Sequence, residues 1–382
     1  MSMSDSVYVY LIPVFIILWI TVIAVNKLIK LELTPVKYPE IDGLRGYLAF
    51  FVFLHHSYIW YQYLQTKTWS DPNSNLFTHF GQTSVVLFFI ITAFLFITKL
   101  LESKTDFDWN HYLKSRFFRL FPMYFFIVIV ILIMVGYYTY WQQHDSFLNL
   151  LKSISSWLFF TVAGASDVNG FKDTFLMNSG VSWTLPYEWM FYFLLPVLAL
   201  LFRKKVPRKI ILLFTFTFLL ILYINQGSAR HFMPFIGGIA AAVLLYKFDL
   251  KPITEKVVFS FIAIALLAFS VVFFESGRKP VPLISASLFF IIIASGNSLF
   301  GLLTNTLSRK LGQITYSLYL VHGTLLFILF FGIIGIEKAA KLNQYEYWGI
   351  IALTVIPLLF ISQLTFKYIE LPMMHFIKKQ KP

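Results

Sequence analysis

Apolar stretches long enough to cross a bilayer, about 17 to 25 residues each, recur along the whole of this sequence. They fall at approximately 8–25, 44–64, 79–100, 118–140, 183–202, 210–226, 231–248, 257–274, 283–303, 312–335 and 346–367. Segments of this kind satisfy their backbone polar groups internally, as helices. The pattern predicts an all-α polytopic integral membrane protein with about eleven transmembrane helices. The chain has 382 residues and leaves no stretch for an appended soluble domain. Only 13% of residues are charged and mean hydropathy is +0.73, whereas a soluble surface needs roughly 25% charged residues. Aromatic residues reach 19%, in keeping with lipid-facing helices and interfacial belts. Cysteine is absent, which removes disulfides, thiolate metal sites and cysteine nucleophiles together.

The net charge of +13 would suggest nucleic acid in a soluble protein. Here no basic module lies outside the spans, so a nucleic-acid partner is not expected and the charge is assigned to membrane topology. The first span is not a signal peptide, because Asp5 precedes it while Lys27, Lys30 and Lys37 follow it. An outside N-terminus then puts 23 of the 31 basic residues in cytoplasmic loops and 8 outside. The inner set runs from Lys27 through Arg45, Lys104, Arg116, Arg119, Arg203 and Lys247 to Lys381, and this asymmetry fixes the expected orientation. The longest outer segment, 141–182, is expected to be functional or partly re-entrant.

Titratable groups at bilayer depth are costly unless paired or hydrated. In DGLRGYLAFFVFLHH, Arg45 and His56 are eleven residues apart, about 20° from three full helical turns and ~16 Å along the axis. They share a face, with Arg45 near the cytoplasmic mouth and His56 near mid-membrane. His55 is rotated by about 100° and makes a poor partner for a metal, and no metal site is expected. A satisfied core histidine is the plainer account of His56 taken alone. Arg116 and Arg119, in RFFR, are an i, i+3 pair suited to clamp phosphate or carboxylate, or simply to anchor the helix. Glu188 is expected just inside the outer end of its span. With Trp183 and Trp189 nearby it can hold a sugar hydroxyl or raise the basicity of His56. His322 lies near mid-depth on a helix with Tyr316, Ser317 and Tyr319, and its spacing alone indicates no role. Glu370 is expected at the inner face, in a salt bridge.

DGLRGYLAFFVFLHH resembles the opening signature of the acyltransferase family 3 membrane O-acyltransferases, in which Arg and His are separated by ten residues. GQTSVVLFFIITAFLF, RFFRLFPMYFF, WTLPYEWMFYFLLP and LGQITYSLYLVHGTLL resemble further elements of that family, in its order, across about residues 40–372. The resemblance divides the chain into an extra N-terminal helix and linker (1–39), the acyltransferase-like domain (40–372) and a basic tail (373–382). Thr92-Ala93-Phe94 stands where the family has Ser-Gly-Phe, a departure expected to alter a close helix approach. Trp189 follows Glu188 where many members have a second Glu.

The resemblance implies transfer of an acyl group, most often acetyl, from acyl-coenzyme A to a hydroxyl of a glycan or glycolipid, in a bacterial inner membrane. It implies His56 as general base. Arg45, Arg116 and Arg119 would hold the coenzyme A phosphates, with Arg45 also catalytic in stabilising developing oxyanion charge, and Glu188 and His322 would orient the acceptor, beside Trp183 and Tyr316, or tune His56. Direct transfer and a transient acyl-histidine both fit it. A transporter or flippase of a glycan or lipid intermediate is the alternative, since buried Arg and His also mark transport paths.

Overall fold

The computed structural model describes residues 9–29, 32–103, 107–202 and 204–379. Asp5, Lys30, Lys104, Arg203 and Lys381, the first residue of the predicted 8–25 span and the last of the predicted tail lie outside the described residues.

Each predicted span contains a helix. In chain order the helices are α1 (Leu11–Ile29), α2 (Pro39–Thr66), α3 (Asn75–Glu102), α4 (Trp109–Tyr138), α5 (Phe147–Leu158), α6 (Thr184–Leu201), α7 (Arg208–Asn225) and α8 (Met233–Lys247). They continue with α9 (Lys251–Thr254), α10 (Val257–Phe273), α11 (Pro280–Ala294), α12 (Thr306–Gln313), α13 (Thr315–Phe327), α14 (Ile336–Ala339), α15 (Gln344–Thr365) and α16 (Leu371–Lys379). Seven among the described residues are long and apolar enough to cross a membrane, counting continuations: α1, α3, α4, α6, α7, α13 and α15 running into α16. The difference from eleven has a physical origin. α8, α10 and α11 stop at 15, 17 and 15 residues. α2 has 28 residues, about 42 Å of helix, but carries Asp42, Arg45, His55, His56 and Gln62.

Local chemistry sets the helix ends. Pro39 opens α2 in the first turn, where its missing N–H costs nothing. Asp108, Ser146 and Asn305 accept a backbone N–H at the starts of α4, α5 and α12, and Asn343 with Glu346 forms a capping box on α15.

α2 runs through the middle of the bundle, with Phe50, Phe53, Leu54 and Trp60 wholly buried. α7 is peripheral: only Phe214 and Ile221 are buried, while Leu212, Leu213, Phe216 and Tyr223 are exposed, an apolar surface suited to lipid. α3 packs against α8 at Gly238, where a Cβ would meet the Ile90 carbonyl and the Ala93 methyl. The close approach expected to suffer from Ala93 is kept by a glycine on the facing helix instead.

Within 141–182, α5 is followed by tight turns at Thr174–Asn178 and Val181–Trp183 that enter the bundle. Thr174, Asn178, Ser179 and Ser182 are buried there. Trp60 Nε1 donates to Ser179 Oγ at 3.1 Å, and Tyr319 Oη donates to the Val181 carbonyl at 3.0 Å. Gly323 of α13 lies against the Asn178 carbonyl, closer than any Cβ would allow. The segment is re-entrant in this sense, and it puts the start of α6 inside the bundle.

Candidate active site

Two histidines meet where α2 crosses α13. His322 Nε2 lies 3.1 Å from His56 Nδ1, and the ring centroids are 5.1 Å apart. His322 is wholly buried, between the rings of Phe53 and Tyr319. His56 is stacked on Trp69, from the loop after α2, at 6.4 Å between ring centroids. His55 turns away, as helix geometry requires, and its Nδ1 lies 2.8 Å from the Phe77 carbonyl. Sequence spacing finds His56 but not its partner, because 266 residues separate the two.

A cavity of ≈ 450 Å³ opens at the end of the bundle that holds the start of α2, here termed the arginine end. Arg45, Arg116 and Arg119 all line it, so the structure brings the three predicted arginines together. Each has a distinct support. Arg45 is 3.8 Å from the Asp42 carboxylate, one turn earlier on α2. The Arg116 guanidinium sits 4.8 Å from the centre of the Phe96 ring, and Arg119 is 3.7 Å from the Glu370 carboxylate. Glu370 also accepts from Ser317 Oγ, so the expected salt bridge is present and tied to α13.

Glu188 is placed otherwise than the sequence suggests. It lines the cavity with the arginines and accepts from Tyr192 Oη at 3.1 Å, rather than standing at the opposite rim. The packing of α6 is the reason: Thr184 at its start bonds to Tyr319 at the deep end of the cavity, so Glu188, one turn further along, faces the same space as the arginines. Trp183 does not line this cavity. It is five residues from Glu188, hence about 140° around the helix, and packs with His231 and Tyr187 beneath the Arg278 guanidinium, 5.1 Å away. Tyr316 does line the cavity, with its hydroxyl donated to the Leu120 carbonyl at 2.9 Å.

Tyr319 closes the deep end. It lines the cavity, bonds to Thr184 Oγ1 at 3.1 Å and lies 6.0 Å from the His322 ring between centroids. Tyr316, Tyr319 and His322 follow one another at three-residue steps on α13, each ~4.5 Å deeper. This spacing was the available signal for a path from the arginines to the histidine pair. Among the described residues no group of three or more His, Asp or Glu is gathered closely enough to hold a metal ion. The arrangement offers a cationic pocket for an anionic molecule at one end and an imidazole for proton transfer beyond its floor.

A family model described as an acyltransferase domain matches residues 38–368. Curated relatives from Staphylococcus aureus include "Putative O-acetyltransferase SACOL0978" of strain COL and "Putative O-acetyltransferase SAS0844" of strain MSSA476. Each is 24% identical to this chain over 368 residues, covering 87% of this chain and 57% of the relative. The chain therefore spans little more than half the length of these relatives. No solved structure matches.

Proposed function

The chain belongs to acyltransferase family 3, and from that premise we propose that it moves an acyl group, most often acetyl, from cytoplasmic acyl-coenzyme A to a hydroxyl of a cell-surface glycan or glycolipid. The observation that carries this reading is the stepped placement of the arginine cavity and, one helical turn beyond its floor, the His56–His322 pair. In this reading the arginine end faces the cytoplasm of a bacterial inner membrane, as the distribution of basic residues favours.

Arg45, Arg116 and Arg119 hold the phosphates of the donor, for which planar guanidinium forks suit better than ammonium groups. From Arg45 to His56 is ~16 Å along α2, so the donor must carry its phosphates and its thioester at opposite ends of an extended arm, as acyl-coenzyme A does. Glu188, among the arginines, balances their charge before the donor binds and orients it afterwards. At His56 the acceptor hydroxyl gives its proton to the imidazole as its oxygen attacks the thioester carbonyl. A new C–O bond forms, the C–S bond breaks, and the proton ends on the departing coenzyme A thiol.

The test is transfer of label from radiolabelled acetyl-coenzyme A in membranes carrying wild type, His56→Ala or Arg45→Ala. Label should reach a glycan or glycolipid fraction with wild type and be lost in both folded variants. A transporter would move its cargo unmodified, and wild-type membranes that neither transfer label nor cleave the thioester would overturn the acyltransferase assignment.

A further inference from the structure

Two backbone carbonyls settle where the protons sit in the His56–His322 pair. His322 Nδ1 lies 3.2 Å from the Leu318 carbonyl oxygen, and its Nε2 lies 3.1 Å from His56 Nδ1. That same His56 nitrogen is 3.0 Å from the Val52 carbonyl oxygen. A carbonyl can only accept, and a neutral imidazole has a single N–H to give. His322 therefore donates from Nδ1 to Leu318, which leaves its Nε2 as an acceptor. His56 Nδ1 then faces two acceptors, His322 Nε2 and the Val52 carbonyl, and must carry the His56 proton. The reverse order would set two bare ring nitrogens against two carbonyl oxygens in a buried site, with neither pair bonded. Only one polarity satisfies the whole chain. It leaves His56 Nε2 as a bare lone pair, and that atom has no hydrogen-bond partner among the described residues.

We propose that His322 is a positioning residue: it holds His56 in the tautomer whose Nε2 is free to take the acceptor's proton, and it shares the charge of the imidazolium that results. This rests on the assignment of His56 as general base and adds the group that orients it. The proton moves from the acceptor hydroxyl to His56 Nε2. His56 Nδ1–H stays bonded to His322 Nε2 and the bond strengthens as the ring becomes cationic. A carboxylate in the same place would bring a standing charge to membrane depth, which is expensive. A second imidazole orients the base while the resting pair stays neutral.

The groups that face the pair are few. His55 contributes from α2, with its ring centroid 4.9 Å from that of His56, and Tyr319 contributes from α13. From the other end of the bundle Asp71 and Arg278 act electrostatically on His55. Trp69, stacked on His56, is not titratable.

The experiment compares wild type, His322→Leu and His322→Gln as full-length protein in native membranes, with radiolabelled acetyl-coenzyme A as donor and the membrane's own glycan fraction as acceptor. Leucine keeps bulk without an acceptor, whereas glutamine can present its carbonyl oxygen near the position of Nε2. The expected result is a loss of about 100-fold in kcat for the Leu variant at unchanged KM for acetyl-coenzyme A. The acid limb of its pH–rate profile moves to lower pH, because the imidazolium has lost its acceptor. The Gln variant recovers at least a tenth of wild-type kcat and the wild-type inflection. Wild-type kcat in the Leu variant overturns the inference, as does a raised KM with kcat intact. So does a Gln variant that folds, binds donor normally and stays about 100-fold impaired, and this last measurement stands even where the Leu variant fails to fold. Should wild type itself transfer nothing, the acyltransferase assignment fails. If wild type is active, His56→Ala is dead and His322→Leu is normal, only the present inference fails.

Discussion

Arg45 is the residue on which the reading of the cavity can be tested most narrowly. It is part-buried, held by Asp42 and aimed into the same space as Arg116 and Arg119. If it grips a phosphate with a planar fork, Arg45→Lys keeps the charge and loses the paired hydrogen bonds. We expect KM for acetyl-coenzyme A to rise about tenfold with the protein normally folded, measured as initial transfer rates against donor concentration. Glu370 is different in kind, because it is fully buried and its carboxylate partners Arg119 and Ser317. Glu370→Ala removes the buried carboxylate that pairs with the part-buried Arg119 and accepts from Ser317, and breaking such a pair costs at most about 3 kcal/mol; a lowered Tm in detergent would show it. At this scale the shared face of Arg45 and His56 and the pairing of Arg116 with Arg119 were legible, because one helix and one i, i+3 step relate them. The sequence could not reveal His322 as the neighbour of His56, since that contact depends on how α2 and α13 cross. Glu188 was misplaced for a related reason: its place among the arginines depends on how α6 packs against α13.

Among the elements, the re-entrant turns carry the most consequence. Gly323 lets α13 touch the Asn178 backbone, and a single added methyl has nowhere to go without moving that backbone. Gly323→Ala should shift the Thr174–Trp183 segment, and with it the start of α6 and Tyr319's bonds to Val181 and Thr184. Turnover is expected to fall about tenfold or more while the arginine cavity still binds donor, as read by transfer rate alongside equilibrium binding of acetyl-coenzyme A. Helix positions themselves were legible, since apolar runs of spanning length have few alternatives in lipid. Long polar α2 was legible as well, because its apolar residues continue around Asp42, Arg45 and the histidines. What could not be read was the compensation for Ala93 by Gly238, on a helix 145 positions later.

The whole molecule has two faces, and the absence of cysteine makes their sidedness easy to measure. Single substitutions Lys172→Cys and Lys247→Cys, both at exposed positions, should behave oppositely toward a membrane-impermeant maleimide. The first should label in intact cells and the second only after permeabilisation; the reverse pattern would overturn the proposed orientation. Tyr319, with its bonds to Thr184 and Val181 and the Phe88 ring beside it at 6.1 Å, stands between the open cavity and the histidine pair. A membrane that stores energy as an ion gradient cannot tolerate a water-filled bore from one side to the other. In the proposed reading Tyr319 is a resting plug that the donor's own arm displaces on its way to His56, so an acyl carbon would change sides of the barrier through a passage filled by the donor itself, without a current of protons following it.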